Sequence, residues 1–169
     1  DNGINWTEVE LSFIGNYKKL IASDQGKFIA IAQNDQRFSY SLTGEEWLTG
    51  TLPTAKAWED GIYADGQYVI IASDSDDVYT SPDGVTWTAR TIDGDDGGDD
   101  STISQWSHIT YGKGQFLVVS ANDRATATSP NGVTWTRHDE VLKDLIDDGQ
   151  SDWDIVGVEL PVCSVLKKI

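Results

Sequence analysis

Ser81-Pro82-Asp83-Gly84-Val85-Thr86-Trp87 and Ser129-Pro130-Asn131-Gly132-Val133-Thr134-Trp135 are one seven-residue phrase written twice. Proline presets φ for a turn, the Asp or Asn side chain accepts backbone N–H bonds, and glycine takes the left-handed position, so each phrase reads as a tight hairpin. The tryptophan that follows opens a new strand, and burying it removes about 150–250 Å² from water, worth at most about 4–6 kcal/mol. Leu42-Thr43-Gly44-Glu45-Glu46-Trp47 is a degraded third copy.

Gly26-Lys27-Phe28, Gly66-Gln67-Tyr68 and Gly114-Gln115-Phe116 stand twenty-one residues before Trp47, Trp87 and Trp135 respectively, counted from each glycine. Equal spacing in three places defines an internal repeat of about forty residues. Four strands fit into each unit. Strand a falls at 19–23, 61–64 and 107–111, and is followed by a glycine-bearing turn. Strand b, at 28–32, 68–72 and 116–120, is apolar and largely β-branched, as suits a strand buried on both faces. Strand c, at 37–41, 78–81 and 125–129, alternates and has a wetter face. Strand d begins at each tryptophan, over 47–51, 87–92 and 135–138.

The full units span 16–52, 57–92 and 105–140 of a single domain over 1–169, and half units flank them. Asn2-Gly3-Ile4-Asn5-Trp6-Thr7 matches Asn131-Gly132-Val133-Thr134-Trp135-Thr136, so 1–15 reads as a strand d. Trp153, Val156, Cys163 and Val165 match Trp106, Ile109, Phe116 and Val118, so 153–169 reads as strands a and b. The fold class expected is all-β, a small β-propeller-like domain of about four four-stranded antiparallel blades, the last formed from both termini. A β-trefoil and a fragment of a larger propeller are the alternatives.

Twenty-eight acidic against twelve basic residues give a net charge of −16. Such a chain repels nucleic acid and anionic membranes, and no apolar run reaches the roughly twenty residues of a membrane span, so neither partner is expected. One cysteine, Cys163, excludes an internal disulfide framework. With no methionine the first residue is not an initiator, and processing or fragmentation would each explain the start.

The phrase Ser-x-Asp-Gly-x-Thr-Trp, with its glycine and aromatic lead-in, resembles the Asp-box (BNR) repeats of sialidase-like β-propellers over nearly the whole chain. Ser81 to Trp87 and Ser129 to Trp135 are one residue shorter than the usual form, which implies a different turn in detail. Shortened repeats led by a sequence such as Tyr111-Gly112-Lys113-Gly114-Gln115-Phe116 look like those of phage tail and virion-surface proteins and of secreted bacterial propellers. In the Asp-box family the motif is a structural hairpin away from the catalytic face, so the resemblance assigns no catalytic residue.

A sialidase-like site would need three convergent arginines, a tyrosine nucleophile and a separate carboxylate. Arg37 and Arg124 fall at the start of strand c and Arg90 and Arg137 on strand d, which disfavours convergence. His108 and His138 lie in no hydrolase, zinc or redox motif, and His138 reads as solvent-facing. Asp93-Gly94-Asp95-Asp96-Gly97-Gly98-Asp99-Asp100 offers carboxylates and carbonyls to a hard cation, so Asp93, Asp95, Asp96 and Asp99 are the candidate Ca²⁺ ligands, against a plain solvated loop.

In a propeller the b–c and d–a connections share one face, which gathers Asp35, Asp74, Asp76, Asp77 and Asp123 as the candidate ligand-binding residues. The function expected is a non-enzymatic structural or binding module, exposed on a virion or secreted as an adhesion protein. Its partners would be other protein subunits or a surface glycan, in an extracellular or virion-surface location. A sialidase-like hydrolase and a lectin-like binder using Trp58, Trp106 and Trp153 as stacking platforms are the rivals.

Overall fold

The computed structural model describes residues 4–92, 105–121 and 125–138, and every regular element among them is a β-strand. The first sheet is β1 (Tyr17–Ala22), β2 (Phe28–Ala32), β3 (Asp35–Ser41) and β4 (Leu48–Lys56). The second is β5 (Trp58–Ala64), β6 (Gln67–Ala72), β7 (Asp77–Ser81) and β8 (Thr88–Thr91). The third is β9 (Trp106–Gly112), β10 (Gln115–Ser120), β11 (Thr126–Ser129) and β12 (Thr136–His138). Strands neighbour one another in sequence order and pair antiparallel, and β5 packs between β1 and β9. Each repeat is thus one propeller blade with strand a innermost. The β-trefoil alternative fails because pairing stays within each unit instead of knitting the units into one barrel.

Strand b behaves as its composition requires. Tyr68, Ile70 and Ala72 of β6 enter one core with Ile29, Ile31, Phe38 and Trp58, while Val69 and Ile71 enter another with Trp106, Phe116 and Val118. The middle blade is therefore apolar on both faces because it has a sheet on both sides. Trp87 and Trp135 are buried, and Trp87 meets Phe38 of the preceding blade edge-on at 5.9 Å between centroids. Cross-strand from Phe38 stands Gly50, where any Cβ would collide with the Phe38 ring.

The a–b connections at Asp65-Gly66 and Lys113-Gly114 have positive φ at both central residues, 51° and 77° in one and 50° and 79° in the other. That is the type I′ geometry whose twist matches a two-residue hairpin. At the c–d hairpins, Gly44, Gly84 and Gly132 are all left-handed, so the degraded first copy keeps the turn of the other two.

Strand boundaries differ most from the expected ones at two places. β4 continues to Lys56 because its end pairs with Asp35 across a bulge, and β5 begins at Trp58, ahead of Gly61. Residues 4–16 carry no strand, and Trp6 is 87% exposed. Part of this stretch instead covers the free face of the first sheet, where the Ser39 hydroxyl bonds both Ser12 Oγ and Tyr17 Oη at 2.7 Å. Residues 153–169, its expected partners in a split blade, lie outside the described residues.

Candidate functional site

The b–c and d–a connections do share a face, because they hydrogen-bond each other: Asn34 N donates to Lys56 O, Ser73 N to Ala57 O and Ile92 N to Asp76 O. The carboxylates there are engaged by the protein itself. Asp35 and Arg37 form a fork, with Arg37 Nη2 at 2.7 Å and Nε at 3.1 Å from the two carboxylate oxygens. The Arg37 hydrogen bond holds the Asp35 carboxyl below its usual range, and the same bond raises the guanidinium. Asp77 accepts Lys56 Nζ at 2.7 Å, which raises that ammonium. Asp76 accepts the Trp106 indole N–H at 2.9 Å and lies 3.9 Å from Arg137. Asp74 is exposed beside Lys56. Asp123 lies outside the described residues, as do the expected calcium ligands Asp93, Asp95, Asp96 and Asp99. Among the described residues no group of three or more His, Cys, Asp or Glu side chains is placed to hold a metal ion.

Two expectations need correction. Trp58 and Trp106 are 1% and 0% exposed, so neither is a stacking platform: an indole opening an innermost strand fills the space between adjacent blades. Trp153, the third, lies outside the described residues. His138 is half-buried, and its Nε2 sits 3.0 Å from Thr128 Oγ1 on the neighbouring strand, because strand d remains paired to its last residue.

The most connected polar cluster runs across the innermost strands. Lys19 pairs with Ile31, Asp60 with Ile71 and His108 with Val119, which is one register position in three successive blades. Lys19 Nζ lies 2.6 Å from Asp60 Oδ1, and Asp60 Oδ2 lies 3.7 Å from His108 Nδ1. Asp60 also accepts the backbone N–H of Ile109 at 3.1 Å and its neighbour Gly61's at 2.8 Å, so one carboxylate touches three blades. One step along, Lys18 Nζ meets Glu59 Oε1 at 2.7 Å, and Gln33 Nε2 donates to Glu59 Oε2 at 3.3 Å. His108 is 78% exposed. Leu20, 59% exposed, pairs with Ala30 and so points to the opposite side of β1 from Lys19, on the free face of the first sheet. This row sets an imidazole and two lysines beside two carboxylates along the innermost strands. Sequence reading passed over it because each residue looked like an ordinary polar position. The repeat alignment held the signal, since it places residues 19, 60 and 108 in register.

No family model matches the chain, and no curated protein sequence matches it. Solved structures do. A structure titled YCF48 bound to D1 peptide superposes with a TM-score of 0.62 at 18% identity, over 86% of this chain and 46% of that one. A streptogramin B lyase gives 0.63 at 15% identity, over 79% and 44%. The GH74 enzyme of Niastella koreensis gives 0.56 at 20% identity, over 80% and 20%. The chain spans less than half the length of each of these, and at such identities the likeness speaks for the fold alone: it is of the β-propeller type.

Proposed function

We propose that this protein is a non-enzymatic binding module that takes an extended segment of a protein partner on the inner-strand wall. The observation that carries this reading is the Lys19–Asp60–His108 row, with the His108 ring exposed at its end. A mixed-charge row suits a polypeptide better than a polyanion, which the net charge of −16 would repel. The solved structure of YCF48 with a peptide bound is a precedent for a propeller in this role. A glycan reading loses its platforms, since Trp58 and Trp106 are buried.

Hydrolase chemistry fares poorly. Arg37, Arg90 and Arg137 sit on β3, β8 and β12, outer strands remote from the innermost β1, β5 and β9, and burial pushes the Tyr63 and Tyr68 phenols up, opposite to an activated nucleophile. The Ser81-Pro82-Asp83-Gly84 hairpin and its Asn131 counterpart fit the Asp-box resemblance, and with the acidic composition they favour a virion-surface or secreted setting, within an assembly of other subunits.

The test is selection from a displayed random-peptide library, followed by affinity measurement with His108→Ala and Lys18→Ala. Both side chains are exposed, so the variants keep the fold. At least tenfold weaker binding by either supports the reading, an effect of about 1.4 kcal/mol. Selected peptides indifferent to both changes, or no selection above background, would refute it.

A further inference from the structure

Each described blade interface uses the same three contacts. The residue before the strand b aromatic reaches forward to the c–d hairpin of the next blade: Lys27 Nζ donates to Asp83 O, and Gln67 Nε2 donates to Asn131 O. The hairpin glycine then sits on the residue after that aromatic. A Cβ on Gly84 would lie 2.6 Å from Ile29, and one on Gly132 would lie 3.1 Å from Val69. Last, the next blade's strands a and b supply the core. Trp106, Ile109, Phe116 and Val118 close over Val69, Ile71 and Val78.

The third sheet carries the receiving half of this interface. By register, Gln115 corresponds to Gln67, Leu117 to Val69 and Val119 to Ile71. Val69 and Ile71 are both 0% exposed, whereas Leu117 and Val119 are only half-buried, because no sheet covers this face among the described residues. The sequence after β12 repeats what covers Val69 and Ile71. Trp153, Val156, Cys163 and Val165 follow one another at the same intervals as Trp106, Ile109, Phe116 and Val118.

We propose that the outer face of the third sheet, built on Leu117 and Val119, is the docking surface for residues 153–169 of the same chain. By the correspondence with Phe116, the side chain at 163 would turn inward onto that face. Cys163 is the only cysteine, so its thiol reports on the docking without a label.

The experiment measures the rate of reaction of the full chain with DTNB. Docking predicts that Cys163 reacts at least about tenfold more slowly in native buffer than in denaturant, independently of protein concentration. Leu117→Asp should then restore fast reaction while the near-UV circular dichroism of the buried tryptophans in the first two sheets persists. Should Leu117→Asp fail to fold, Val119→Ser makes the same test more gently. Full reactivity in native buffer overturns the proposal. So does protection that both variants leave intact, and so does protection lost on dilution, which would place the segment on a second copy.

Discussion

The three c–d hairpins form a graded series that isolates what one negative charge adds to a turn. At the same position stand Thr43, Asn131 and Asp83. The Thr43 hydroxyl accepts two following amides at 3.2 and 3.5 Å, Asn131 Oδ1 at 3.0 and 2.9 Å, and Asp83 Oδ1 at 2.8 and 2.7 Å. Shortening in that order is what charge assistance produces. Burial works to raise the Asp83 carboxyl, but the Thr86 and Val85 amides and the Ser81 hydroxyl outweigh it and bring it from 3.8 to about 2. At face value that drop corresponds to roughly 2.4 kcal/mol. Since the side chain stands partly in water, screening reduces the figure to about 1 kcal/mol. Asp83→Asn should keep the turn, as Asn131 does, and lose only the charge. A depressed carboxyl stabilises the fold above its unfolded value and ceases to do so as pH falls through its folded value. The deficit of Asp83→Asn should therefore be full above about pH 4 and vanish near pH 2. Urea unfolding of both proteins at several pH values, followed by tryptophan fluorescence, measures it. Equal stability at pH 7, or a deficit undiminished at pH 2, would refute the reasoning.

Asp60→Ala should cost about 2–3 kcal/mol in the same assay, because it strips an ion-pair partner from Lys19 and leaves the Ile109 amide unsatisfied. Lys19→Ala, at a more exposed site, should cost under about 1 kcal/mol, and an equal loss from both would show that the carboxylate does not join the blades. Gly50→Ala should cost about 1–3 kcal/mol by overpacking against the Phe38 ring, read as a lowered melting temperature, and an unchanged melting temperature would contradict that contact.

The blades were legible because their determinants are local. A tight turn before a tryptophan, a glycine-aromatic pair and a β-branched run each constrain a few neighbouring residues, and their recurrence at fixed intervals removes ambiguity about period. Boundaries were less legible where pairing decided them. β4 runs on to Lys56 through a bulge opposite Asp35, which no propensity within 51–56 signals. The Asp60 cluster was illegible for another reason. Lys19, Asp60 and Ile109 are far apart in sequence, and only the side-by-side packing of β1, β5 and β9 brings them together. On the b–c face, charge counting could not reveal that Arg37 and Lys56 already engage Asp35 and Asp77.

The position of Asp60 also bears on how a partner segment would be held. Strand a is the inner edge of its sheet, so amides that do not pair with strand b face the centre and form a template for an added strand. The Ile109 amide is one of these, and Asp60 of the preceding blade occupies it. On the other side of β5, Gly61 lets β1 approach closely: a Cβ there would lie 2.7 Å from Ile21 and 2.8 Å from Ile70. An edge capped by an inward-pointing carboxylate and hemmed in by its neighbour is protected against strand addition. A bound segment would consequently meet side chains instead of backbone, chiefly His108 and Lys18. Selectivity at this wall would then follow from which side chain stands at the strand a register position in each blade, while the sheets behind it stay the same.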